Sequence, residues 1–127
     1  MSTHKVIKVR YDKHQDTFTY KCDDPSVFGD PENPFIVFGV HGKMEFRCDS
    51  SDGIELRFHK ADPANWEPDP PEDEGYHQLR EEETCLVIHN NHCHVGKTKL
   101  TLKLECHLNG NWKRKDSDPI VINIPPA

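Results

Sequence analysis

The chain has 127 residues and carries 16 basic against 22 acidic side chains, which gives a net charge of −6. This length predicts a single domain over residues 1–127, and the acidic balance argues against nucleic acids and anionic membranes as partners. The longest apolar run, Phe35 to Phe38, is far shorter than the ~20 residues of a transmembrane helix, and the polar start lacks the apolar part of a signal peptide. We therefore expect neither a membrane-spanning nor a secreted protein.

Apolar and polar residues alternate along much of the first half, which is the pattern of β-strands with one wet face. Strands are predicted around the apolar sets Ile7-Val9-Tyr11, Phe18-Tyr20-Cys22, Met44-Phe46-Cys48 and Ile54-Leu56-Phe58. The stretch from Phe35 to Val40 is apolar without alternation, so we expect a strand that is buried on both faces or lies at the centre of a sheet.

An acidic segment follows, from Asp62 to Glu83, with nine acidic residues against the single base Arg80. Its four prolines exclude a central strand or a helix, apart from a weak helical spacing between Tyr76 and Glu83. The segment is interpreted either as a docking loop for a cation or basic partner, or as a solvated connection. Its charge also predicts that it lies near the basic hairpin that closes the chain.

The second half continues the strand pattern. Cys85 to Ile88 predicts a strand buried on both faces, and Leu100 to Leu108 predicts an alternating strand with Leu102 in the core. Asn109-Gly110 is a strong signal for a two-residue hairpin turn, because both residues tolerate a positive φ. In the last strand Ile120, Ile122 and Ile124 are predicted to face the core, with Asn123 exposed.

These elements predict an all-β fold: a two-sheet, antiparallel Greek-key sandwich of the immunoglobulin-like kind, with about eight or nine strands. Antiparallel pairing is expected because no helix is available to connect parallel strands.

Two stretches carry a resemblance to a known family. The segment Asn65-Trp66-Glu67-Pro68-Asp69-Pro70-Pro71 and the closing strand from Asp118 to Asn123 resemble the DP-EP family of small bacterial proteins. The resemblance implies a nine-stranded, two-sheet Greek-key sandwich. It implies no activity and no site residues.

A histidine cluster is the one group that suggests metal chemistry. His89, His92 and His94 lie within six residues, and on an extended chain His92 and His94 would project to one face and hold a divalent metal. A complete site needs a third ligand, for which His89, His107, Glu105 or a carboxylate of the acidic segment are candidates. The His-x-His pair resembles the metal motif of cupin barrels, but that motif's glutamate is missing. The alternative is that these are wet surface histidines beside a turn.

Three aromatic residues lie outside the strand pattern. Trp66, Tyr76 and Trp112 are predicted in or beside loops, where exposed aromatic side chains often mark a contact with a protein or a sugar. The alternative for Trp66 is that it anchors the proline-rich loop to the sandwich.

The favoured function is a non-catalytic binding module that contacts another protein and uses no cofactor; no catalytic motif is present. The second hypothesis is a histidine-ligated protein that binds a divalent metal, with a cupin-like metalloenzyme as its less favoured form. Five cysteines without CxxC spacing predict reduced thiols and a cytoplasmic setting.

Overall fold

The computed structural model describes residues 3–50, 53–59, 64–67, 76–93 and 95–125, and within these ranges it has twelve strands and no helix. The strands are β1 (Thr3–Asp12), β2 (Thr17–Lys21), β3 (Val27–Gly29), β4 (Pro34–Phe38), β5 (Gly42–Cys48), β6 (Leu56–Phe58), β7 (Ala64–Glu67), β8 (Tyr76–Glu81), β9 (Cys85–Asn90), β10 (Gly96–Leu108), β11 (Asn111–Ser117) and β12 (Ile120–Asn123). No helix in the described ranges could span a membrane.

The strands form two sheets. Sheet A has the order β2-β1-β5-β9-β8, and sheet B has the order β11-β10-β12-β4-β3, with β6 and β7 also paired to β10. The thirteen-residue strand β10 is the longest described strand and pairs with four neighbours. The predicted hairpin turn follows it, with positive φ at Asn109 and Gly110.

The core lies between the sheets, because the alternating apolar side chains of both sheets point inward. Ile7, Phe46 and Leu86 of sheet A and Ile36 and Leu102 of sheet B are all fully buried in one cluster. Burial of a side chain of this size contributes roughly 1.5–3 kcal/mol. The all-β, two-sheet fold class is therefore confirmed.

Strand number and strand direction differ from the prediction. The described residues form twelve strands, several of only three or four residues, and two pairs are parallel: β1 with β5, and β4 with β12. The expectation of purely antiparallel pairing assumed that a parallel connection needs a helix. Here the chain between β1 and β5 instead passes through β3 and β4 of the opposite sheet, so strands supply the crossover.

In two apolar strands the buried side chains differ from those predicted. In β4, Ile36 and Phe38 are buried while Phe35 and Val37 are only half-buried, so this strand has one core face rather than two. In the last strand Val121 and Asn123 are buried, whereas Ile122 is half-buried and Ile124 is 45% exposed. The buried face was assigned one residue out of register, because a buried asparagine breaks the apolar pattern. The prediction for Cys85 to Ile88 is confirmed, since all four residues are buried in β9, between β5 and β8.

The acidic segment contains two strands that were not predicted. Strand β8 lies at the edge of sheet A over residues that showed weak helical spacing, and β7 pairs with β10. Because Glu67 stands opposite Lys99, the acidic segment does begin beside the basic hairpin. Residues 62–63 and 68–75 of the predicted docking loop lie outside the described residues.

Polar contacts join the two sheets at several points. The amide of Asn90 in β9 donates to the side-chain oxygen of Asn123 in β12 at 2.8 Å, and both side chains are buried. The carboxylate of Asp16, in the β1–β2 turn, lies 3.0 Å from the ammonium of Lys115 and 3.2 Å from that of Lys113, both in β11. A buried polar group is stable only when it is hydrogen-bonded, so the Asn90–Asn123 pair accounts for Asn123 at a core position.

The register of β12 gives a direct prediction. Val121→Ala should destabilise the fold by about 2 kcal/mol, because it empties space in the core, whereas Ile122→Ala should cost about half as much although it removes more atoms. Unfolding midpoints in urea measure the difference. Lys103→Ala is a control beside the buried Leu102, and a larger loss for Ile122→Ala than for Val121→Ala would contradict the register.

Candidate functional site

The predicted metal ligands do not come together in the described part of the chain. His92 has a positive φ of 57°, so the chain is not extended there as the metal hypothesis assumed. Its ring nitrogen Nε2 lies 2.8 Å from the carbonyl oxygen of Ile124 and 3.1 Å from that of Phe38. Two carbonyl acceptors require a proton on Nε2, which removes this nitrogen from the donors available to a metal.

The other proposed ligands have different surroundings. His89 lies in β9 with its ring edge-on to that of His41, the ring centroids being 6.2 Å apart. Glu105 accepts from Arg57 and lies 3.4 Å from the ring nitrogen of His59. Among the residues that the structure describes, no three His, Cys, Asp or Glu side chains are placed to hold one metal ion. His94 lies outside the described residues.

The three aromatic residues predicted to contact a partner lie on three different strands. Tyr76, predicted in or beside a loop, is the first residue of β8. It is 7% exposed and belongs to the core, because its position opposite Asn90 directs it inward, so its side chain is not placed for contact with a partner. Trp112 lies half-buried in β11, with the guanidinium of Arg57 3.8 Å above its ring. The backbone of Trp66 in β7 pairs with that of Leu100 in β10. The side chain of Trp66 is not among those that the structure describes.

The outer face of sheet A carries a group of cations that no sequence motif indicated. We call it the basic face and define it by six exposed side chains on β1, β2 and β5: His4, Lys8, Arg10, Lys21, Lys43 and Arg47. They occupy the outward positions that alternate with core residues, so the alternation that builds the core also collects these charges on one surface.

The strand register brings like charges side by side on the basic face. Lys8 stands directly between Lys21 on β2 and Arg47 on β5. Like charges in directly opposite positions destabilise a sheet. Within the described part of the chain no ion pair involves Lys8, Lys21 or Lys43. Such an arrangement is typical of a surface that meets an anion.

One buried carboxylate lies within this surface. Glu45 accepts hydrogen bonds from Arg47 and from His4, whose ring nitrogen is 3.1 Å away, and only 7% of the Glu45 side chain is exposed. Burial on its own raises the pKa of Glu45, but the hydrogen bonds and charges of Arg47 and His4 outweigh it, so the pKa is lowered. Glu45 therefore stays ionised and positions Arg47 and His4. A second carboxylate, Asp49, lies 2.9 Å from Arg10 at the border of the face.

A cleft of about 360 Å³ opens at one border of the basic face. It is lined by residues 4–6 and Lys8 of β1 and by residues 21–24, which include the half-buried Cys22. The ammonium of Lys5 is buried behind this cleft, where it donates to Ser26 and to Asp24, the latter at 3.4 Å, and lies 4.8 Å from the centre of the Phe38 ring. Lys8 and Lys21 line the cleft together with two carboxylates, Asp23 and Asp24.

The cysteines are the remaining candidate nucleophiles in the part of the chain that the structure describes. All five cysteines are free, and burial, with a smaller effect from Cys85, raises the pKa of Cys48 to about 12. A protonated thiol is a poor nucleophile and a poor metal ligand.

Comparisons with known proteins add no functional information. No family model and no curated relative matches the chain. Among solved structures it is similar to the crystal structure of a cysteine protease inhibitor from Entamoeba histolytica, with 14% sequence identity over 71% of this chain and 82% of that chain, at a TM-score of 0.34. A likeness at this level supports no inference about fold or function.

The hydrogen bonds that hold Asp24 beside the cleft predict that the stability of the fold depends on pH. Hydrogen bonds from the hydroxyl and the amide of Ser26 hold the pKa of Asp24 below its ordinary value of 3.8, with burial opposing them and Lys5 adding to them. A lowered acid pKa stabilises the fold fully above that ordinary value, and the stabilisation is lost as pH falls through the lowered pKa. Asp24→Asn should therefore reduce stability at pH 7 and weaken its decline below pH ~4.

Urea unfolding at a series of pH values measures this effect, with the exposed neighbour Asp23→Asn as the matched control. Equal pH dependence in the wild type and Asp24→Asn would show that Asp24 is not held as described.

Proposed function

We propose that this chain is a non-catalytic binding module whose basic face contacts an acidic surface of another protein. The observation that carries the proposal is the row Lys21, Lys8 and Arg47, in which three cations stand side by side across three strands. Arg47 is already paired with Glu45, but the directly opposed Lys8 and Lys21 have no carboxylate partner among the described residues, and such like charges lower the stability of the sheet. The chain as a whole has a net charge of −6, so this concentration of positive charge is a local feature of one surface.

The charge distribution favours an acidic protein over a nucleic acid. Binding to a polyanion depends on a basic footprint that extends along many phosphates, and the net negative charge of this chain repels such a ligand at long range. An acidic patch on a protein is local, and at physiological salt charges interact mainly within about 8 Å. The compact basic face is suited to such a short-range contact.

The setting proposed with this function is cytoplasmic. It is supported by the five free cysteines, which suit a reducing compartment. Membership of the DP-EP family stays a prediction that rests on the residues quoted for it. The metal hypothesis also stays a prediction, but the position of His92 removes the extended geometry on which it was based.

Charge reversal tests the proposed function. Lys8→Glu with Lys21→Glu should lower the affinity for a fluorescent octaglutamate peptide at least about tenfold, because two attractions become repulsions of up to about 1 kcal/mol each. Lys97→Glu with Lys99→Glu on sheet B changes the net charge equally and should leave the affinity nearly unchanged. Fluorescence anisotropy at low and physiological salt measures both variants.

Two results would contradict the proposal. One is equal loss of binding in the two double variants, which would mean that only net charge matters. The other is tighter binding of a short DNA duplex than of the peptide, which would make the basic face a nucleic-acid site.

A further inference from the structure

The edge of β1 is open along half of its length. Strand β2 pairs with β1 only from Lys8 to Asp12. Among the strands that the structure describes, residues 3–7 have one neighbour, β5, on one side. On that side the amide of Thr3 donates to the carbonyl of His41 at 3.3 Å, and the amide of Asp49 donates to the carbonyl of Val9 at 2.8 Å. Odd-numbered residues of β1 thus bond to β5.

Because backbone groups alternate in direction along a strand, the even-numbered residues of β1 point to the opposite edge. For Lys8 the neighbour on that edge is β2, whereas for His4 and Val6 it is the cleft. Within the described part of the chain no backbone hydrogen bond to His4 or Val6 crosses this edge. Two amide donors and two carbonyl acceptors are therefore available to an added strand.

The edge is open because the chain is held away from it. After Lys21 the chain turns at Asp24, whose carboxylate accepts from the amide of Ser26 at 2.9 Å and from its hydroxyl at 2.6 Å. Lys5 binds this turn from within the core, and Val27 then begins β3 in sheet B. The contacts of Asp24, Ser26 and Lys5 thus keep the edge of β1 open, because they fix the segment that passes from β2 in sheet A to β3 in sheet B.

The side chains around the opening indicate what would fill it. A strand placed there would lie about 4.8 Å from β1 and would direct alternate side chains to the two faces of sheet A. On the outer face these side chains would meet Lys8 and Lys21, which favours Asp or Glu beside these two lysines. The residues that follow β2, Asp23 and Asp24, add two carboxylates to the lining of the cleft. On the other face they would meet the half-buried Cys22, which favours small apolar residues.

We infer that the partner contributes an extended segment of alternating acidic and apolar residues, which adds as a strand beside residues 3–7 of β1. This inference rests on the proposed function for the sign of the partner's charge, and it adds the mode of binding. Backbone hydrogen bonds supply the affinity in such strand addition, and alternate side chains supply the specificity. A second copy of this chain is disfavoured at this edge, because pairing two such edges would bring the basic faces together.

The test uses the heptapeptide Glu-Val-Glu-Val-Glu-Val-Glu, acetylated and amidated at its ends. A matched control has the same residues with an N-methyl group on every amide, so that its charge is kept and its backbone donors are lost. We expect the unmodified peptide to bind at least tenfold more tightly. It should also slow amide hydrogen exchange at His4 and Val6 at least tenfold, with little change at Lys5 and Ile7, whose amides already bond to β5.

Val6→Pro is the matching change in the protein, because it removes an amide that faces the cleft and leaves the bonds to β5 intact. It should weaken the heptapeptide more than tenfold and leave octaglutamate binding unchanged. If this variant does not fold, the comparison of the two peptides still decides.

The failures of the two proposals are distinguishable. Equal affinity of the two heptapeptides, both weakened by reversal of Lys8 and Lys21, would overturn strand addition and leave the proposed function standing. No binding of any acidic peptide would overturn both. Protection of His4 and Val6 without peptide, together with a dimer in sedimentation, would show that a second copy occupies the edge.

Discussion

The buried ammonium of Lys5 is the contact on which the arrangement of the candidate site depends. Lys5 occupies an inward position of β1 and is 5% exposed, so its charge would be very unfavourable without partners. Its partners are Asp24 and Ser26, in the turn between β2 and β3, and the ring of Phe38 in β4. These residues belong to the segment that leaves sheet A and to the sheet that receives it. The Lys5 contact therefore fixes the place where the chain crosses between the sheets.

The crossover has two consequences at one location. It ends the pairing of β2 with β1 at Lys8 and Lys21, which leaves the backbone of His4 and Val6 facing the cleft. It also makes Lys8 and Lys21 the last cross-strand pair, so two adjacent ammonium groups stand at the mouth of the cleft. Backbone donors and positive charge thus occur together, although the chain as a whole is acidic.

The sequence predicts the core well where apolar residues alternate without interruption. Ile7, Phe18 and Leu104 are buried as their spacing predicts. The prediction was wrong in β12, because the hydrogen bond between Asn90 and Asn123 joins residues 33 positions apart and makes a polar residue acceptable in the core. No local pattern contains that information.

The functional residues were harder to predict for a related reason. His92 was interpreted as part of an extended strand, but its backbone is left-handed and its ring is used by the carbonyls of Phe38 and Ile124. The basic residues of β1 were visible as the polar half of an alternating strand. Their meaning depends on the neighbours Lys21 and Arg47, and hence on the parallel pairing of β1 with β5, which sequence spacing did not indicate.

Residue-resolved amide hydrogen exchange on the free protein tests the open edge of β1 most directly. An open edge gives an alternating pattern of exchange rates along β1. We expect fast exchange at the amides of His4 and Val6, which face the cleft, and slow exchange at those of Lys5 and Ile7, which bond to β5. From Lys8 onward both sides of β1 are paired, so Lys8 and Arg10 should exchange slowly as well. Protection of His4 and Val6 equal to that of Lys5 and Ile7 would show that the edge is already occupied, and it would contradict the account.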